Sequence, residues 1–225
     1  MKIRSLCLIA LQILTFQAGA VTFLTTFSSP PQSDTAVYND GTTFEQWGIP
    51  FTTGAGTGEG FTLDRIKLVL QQTSGTSPLS VAIYLADGNN VPTGAALSSN
   101  FTWGAIPTAG FGEVIFTPGS TLSLLANTTY VFTLSTGAGG DYLWQTTTDS
   151  NYTATGGWSF PQPFVMGWLT NQFGQPVWTD GGGGTYHFMG AIDATAIPEP
   201  SAVAFCLGGF GVAALFRCSR PARLL

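Results

Sequence analysis

The chain has 225 residues, only 8% of them charged, with seven Lys or Arg against twelve Asp or Glu. Between Val21 and Ala196 the imbalance sharpens, because Arg65 and Lys67 are the only bases against eleven acids, a net charge of −9. A surface of that sign repels phosphate backbones and anionic lipid head groups, which excludes nucleic acid as a partner.

The length suits one domain with accessory ends. Residues 1–20 have the order of a signal peptide: basic Lys2 and Arg4, an apolar run from Leu6 to Phe16 broken by Gln12, and small Ala18-Gly19-Ala20. Export with cleavage after Ala20 is the expectation. The three cysteines are Cys7, Cys206 and Cys218, so residues 21–196 contain no thiol. Disulfides, zinc–thiolate sites and cysteine catalysis are therefore excluded from the body. A segment of about 175 residues can bury enough apolar surface to fold without such staples.

Along the body, short apolar alternations are broken by Gly, Asn, Asp and Pro. "RIKLVLQQ" puts Ile66, Leu68 and Leu70 on one face and Lys67, Val69 and Gln71 on the other. "LSVAIYLADGNN" alternates Val81, Ile83 and Leu85 and then meets the turn residues Asp87-Gly88-Asn89-Asn90. "TTYVFTLSTGAGG" alternates Tyr130, Phe132 and Leu134 before stopping in glycine. "YLWQ", "WSF", "FVMGWL" and "TYHFMGAIDATA" continue the pattern. A period of two with this punctuation predicts half-buried antiparallel strands. The fold class is all-β, an antiparallel β-sandwich of jelly-roll-like arrangement over 21–196, with a closed barrel as the alternative. "TGAGTGEG" and "TDGGGGTYHF" read as loops, and helix is expected only in the signal and in a short C-terminal apolar run.

Little in the body points to catalysis. His187 stands alone on an alternating strand, without a nucleophile motif or a second His to share a metal. Glu45, Glu59, Asp64, Glu113, Asp141, Asp149 and Asp180 could in principle supply a glycosidase pair, but no spacing selects two of them. Asp87, Asn89 and Asn90 offer oxygen ligands but lack the acid count of a calcium loop, and turn formation is the better reading. No catalytic residue, metal site or cofactor is assigned. The aromatics Trp144, Trp158, Trp168 and Trp178 lie among amides and hydroxyls, a composition able to stack on sugar rings. Rings of that size also build cores, and the core is the favoured assignment.

Residues 197–225 carry Pro198-Glu199-Pro200, fifteen uncharged residues from Ala202 to Phe216, then Arg217, Arg220 and Arg223. As a helix the apolar run covers about 22 Å, short of a hydrocarbon core of roughly 30 Å. The arginines favour a cytoplasmic C-terminus with the body outside. Motif, apolar stretch and basic end together closely resemble the PEP-CTERM sorting signal of Gram-negative bacteria. That resemblance implies an exosortase-type processing enzyme as partner, transient residence in the inner membrane, and association with the cell envelope and exopolysaccharide. "GFTLDRIKLVL", "VAIYLADGNNVPTG" and "TLSLLANTTYVFTLS" make the body similar to the choice-of-anchor modules that such tails carry, which have no established activity to transfer. The expectation is a secreted, non-enzymatic surface or matrix protein. The alternatives are a carbohydrate-binding module and a glycan-cleaving enzyme.

Overall fold

The computed structural model describes residues 19–42, 44–56, 59–147, 152–161, 165–168, 177–180 and 187–198. The basic and apolar parts of the expected signal segment and everything from Glu199 onward lie outside these residues. All regular structure among them is β. In chain order the strands are β1 (Val21–Thr25), β2 (Ser33–Asn39), β3 (Glu45–Thr52), β4 (Phe61–Ser74), β5 (Leu79–Ala86), β6 (Pro92–Ser98), β7 (Phe101–Thr102) and β8 (Gly112–Pro118). They continue with β9 (Leu122–Leu124), β10 (Thr129–Thr136), β11 (Gly140–Thr147), β12 (Thr153–Ala154), β13 (Val165–Trp168), β14 (Val177–Asp180), β15 (His187–Phe188) and β16 (Gly190–Ala196).

Every pairing is antiparallel. One sheet runs β12-β1-β16-β4-β11-β15, with β2 on β11, β8 and β9 on β4, and β7 on β8. The second runs β14-β13-β3-β10-β5-β6. The spine of the first sheet is β4, whose 14 residues exceed any one partner. Along one edge β16 pairs from Phe61 to Leu68 and β11 takes over from Leu70. Along the other, β9 and β8 follow one another in the same way.

The alternation predicted for "RIKLVLQQ" is present, with Ile66, Leu68 and Leu70 buried. It changes phase just upstream. Asp193 of β16 faces Arg65, whereas Ala194 faces Leu63, so Asp64 is an extra residue on β4. This bulge lets Leu63 and Ile66 both point inward although three positions separate them.

The two sheets share one core. Phe132 of β10 meets three rings of the first sheet, Phe116 at 6.2 Å, Phe101 at 6.4 Å and Trp144 at 6.5 Å between centroids. Towards the other end, Trp158 stacks on Phe23 at 4.8 Å and lies 6.0 Å from Phe51 of β3. Offset and edge-on rings of this kind contribute beyond the apolar area they bury.

Three strand expectations are modified. "WSF" forms only a bridge, Ser159 with Thr52. Leu85 continues the alternation of β5, but at the strand's end it has run past the core and is 39% exposed. "TYHFMGAIDATA" is two strands rather than one. The chain changes partner at Met189, whose N–H donates to the Gln145 carbonyl while its own carbonyl accepts from Val69. Thr53–Gly56 and Glu59–Gly60 form the expected loop, and most of "TDGGGGTYHF" lies outside the described residues.

Candidate functional site

The four tryptophans do not form one surface. Trp144 is fully buried, its indole N–H donates to the Met189 carbonyl at 3.2 Å, and its ring lies 4.1 Å from Phe188. Trp158 is 2% exposed within the Phe23, Phe51 and Phe61 cluster. Neither ring offers a face to a sugar, so the stacking role is withdrawn for both and the core role stands. Trp168 occupies β13 opposite Glu45 and Val177. Trp178 is half-buried on β14 opposite Gly167, which in turn faces Gln46 of β3.

The charged groups gather at a site that the sequence analysis did not single out. The only two bases of the body converge on Asp193, a carboxylate 1% exposed. Arg65 Nε lies 2.5 Å and Lys67 Nζ 2.9 Å from Oδ2, and Thr22 donates to Oδ1 at 2.6 Å. Period-two geometry explains the convergence. Arg65 is directly opposite Asp193 on β4, Lys67 is one pleat further on the same face, and Thr22 is opposite on β1. Burial by itself would raise the Asp193 carboxyl. The hydrogen bonds from Thr22, Lys67 and Arg65, with the Lys67 charge, outweigh it and hold the group below the ordinary aspartate value.

The other acids are dispersed. Glu45 sits on β3, Asp64 on the β4 bulge, Glu113 on β8, Asp141 on β11 and Asp180 on β14, with Glu59 in the loop before β4. Asp64 accepts the Thr195 hydroxyl at 2.7 Å. Burial raises the Glu45 carboxyl. Asp149 lies outside the described residues. Asp87 is a turn acceptor: its Oδ1 takes the N–H of Asn89 at 2.8 Å and of Val91 at 2.9 Å, and Asn90 holds φ at 63°. His187 is buried on β15 opposite Thr147. Among the described residues no group of three or more His, Cys, Asp or Glu could hold a metal ion. Of the expected sorting motif only Pro198 is described, exposed just beyond β16. Glu199, Pro200, Arg217, Arg220 and Arg223 lie outside.

Among the described residues, space for a ligand exists on the second sheet. The interior void lined by Phe51, Leu68, Phe132 and Phe188 is about 10 Å³, the lower limit for one water. On the second sheet, Tyr130, Phe132 and Leu134 of β10 face the core, which turns Thr133 and Ser135 to the opposite face. Ser80 and Tyr84 of β5 and Gln46 of β3 are placed there by the same alternation. These residues, with Ser99, Trp103 and the core residue Phe101, line a concavity of about 400 Å³. The Gln46 side chain is 7% exposed, and its Nε2 has no hydrogen-bond partner.

No protein-family model matches the chain, and neither a curated protein nor a solved structure is found to be similar to it.

Proposed function

We propose that the chain is an exported, non-enzymatic β-sandwich of jelly-roll-like arrangement, with a structural or adhesive role at the cell surface or in exopolysaccharide. A PEP-CTERM tail read by an exosortase-type enzyme delivers it there. The observation that carries the reading is how the body uses its reactive side chains. Both bases are held by Asp193, His187 is buried on a strand, and Trp144 and Trp158 fill the core. What remains is an acidic, thiol-free pair of sheets that needs no reducing compartment to stay folded.

The sandwich itself is supported by the Tyr130 hydroxyl, which accepts the backbone N–H of Leu125 five residues upstream. The same contact closes the corner between sheets in other antiparallel sandwiches.

Mass spectrometry of the protein from cells with and without the exosortase tests the proposal. The expected product begins at Val21, ends near Pro198–Ser201, and fractionates with surface polysaccharide. Full-length chain in the cytosol, with Arg217, Arg220 and Arg223 still attached, overturns it.

A further inference from the structure

We propose that the concavity on the outer face of the second sheet binds an uncharged saccharide, with the Gln46 amide as its central hydrogen-bond donor. This names the ligand class for the adhesive role above and rests on that reading.

The Gln46 amide carries an unmet requirement. Buried polar groups in folded proteins are almost always paired, and an unpaired one opposes folding. Among the described residues three buried side-chain polar atoms lack a partner: Gln46 Nε2, Thr146 Oγ1 and Trp158 Nε1. Of these residues only Gln46 lines the concavity. An amide nitrogen has two protons to give. A ligand rich in oxygen satisfies it, and the pairing that the protein leaves open is then completed on binding.

The surroundings narrow the chemistry. The lining of the concavity contains no charged residue. Its polar groups are the Gln46 amide and the hydroxyls of Ser80, Tyr84, Ser99, Thr133 and Ser135, which both donate and accept. Half-buried Tyr84 and Trp103 add aromatic surface beside those hydroxyls. A sugar presents the same combination in reverse, hydroxyls around an apolar C–H face. The net charge of −9 on residues 21–196 disfavours uronate or sulfated polymers. The volume of about 400 Å³ falls within the range of small-ligand sites, roughly 300–1,000 Å³.

The test uses the full chain in a detergent without a sugar head group, titrated with neutral polysaccharides and their oligomers and, as a charged control, with alginate. The wild type is expected to bind a neutral glycan in preference to alginate. Gln46→Met, nearly isosteric but without the amide, is expected to bind at least tenfold more weakly. Its thermal midpoint should be unchanged or higher, because the variant removes an unpaired donor. Ser80→Phe, at an exposed position, fills the groove without touching the core and should abolish binding. It carries the test alone if Gln46→Met does not fold.

Wild-type affinity retained in both variants overturns the assignment, as does preference for alginate or for an extended peptide. Absence of binding to any neutral glycan also overturns it. In each of those cases correct export and tail processing would leave the sorting proposal standing, so the two fail separately.

Discussion

The phenolic oxygen of Tyr130 accepts the backbone N–H of Leu125 at 2.7 Å, so a buried ring on β10 ties down the turn that precedes it. The turn is stitched from the other side by Thr53, whose hydroxyl donates to the Leu125 carbonyl at 2.6 Å and accepts the Thr128 N–H at 3.0 Å. Asn127 supplies the left-handed step, φ 50°. Tyr130→Phe keeps the ring and its packing but leaves the Leu125 N–H without its partner. The expected loss is about 1 kcal/mol, near the lower end for an unpaired backbone donor because Leu125 lies close to solvent. Urea denaturation gives the number, and an unchanged midpoint would show that the contact contributes nothing.

The Asp193 cluster makes stability depend on pH in the acid range. Its folded-state pKa lies below the unfolded value of about 3.9, so its contribution is complete above that value and is lost as pH falls through the folded pKa. Asp193→Asn removes the dependence. At neutral pH the variant should be less stable by about 1–2 kcal/mol, a figure reduced because Arg65 reaches water. Thermal midpoints of the two proteins should converge in acid. Curves that stay parallel down to about pH 2 would falsify the linkage.

The strands built on apolar alternation were legible because the residues that bury are the residues that alternate. Ile66, Leu68 and Leu70, or Tyr130, Phe132 and Leu134, announce their face without a partner strand. "SDTAVYN" of β2 and "PTGAALS" of β6 carry no such signal. Each is shaped by the neighbour it pairs with, β11 or β5, and β6 is exposed along almost its whole length. The groove was illegible for a related reason. Gln46, Ser80 and Thr133 occupy the polar half of three alternations, and nothing local says that β3, β10 and β5 lie side by side. Asp193 sits in the bland run "AIDATA". The usable clue was Arg65 and Lys67, two bases on one face of one strand in a body with no others, which called for an acid opposite. Trp144 and Trp158 were readable as core by their size, but not their separation within it, since one belongs to β11 and the other packs near β1 and β3.

Trp144→Ala separates core from surface. Removing a fully buried indole that touches Phe132 and Phe188 should cost about 3–5 kcal/mol through lost contacts and the cavity left behind. Any glycan binding should be lost only in proportion to unfolding. At a temperature where the variant is still native, its affinity should equal that of the wild type. A stable Trp144→Ala protein that has lost affinity would place the ring in a site and not in the core.

Gly60 fixes the end of β16. Its φ is 113°, and a Cβ there would collide with the Leu124 carbonyl. Its own carbonyl accepts the N–H of Ile197 at 2.9 Å, which holds the end of β16 beside the start of β4. Gly60→Ala therefore meets both backbone strain and a clash with a main-chain atom that cannot rotate away. The expected cost is about 1–3 kcal/mol for the conformation alone. Because the disturbance is local, hydrogen exchange should quicken first at Ile197 and at the Phe61–Leu63 end of β4, before the Phe132 and Trp144 region changes. The same variant should also open the Ala196–Ile197 backbone to added protease. Uniformly faster exchange across both sheets, with no excess at Ile197, would mean that the Gly60 contact does not set that boundary.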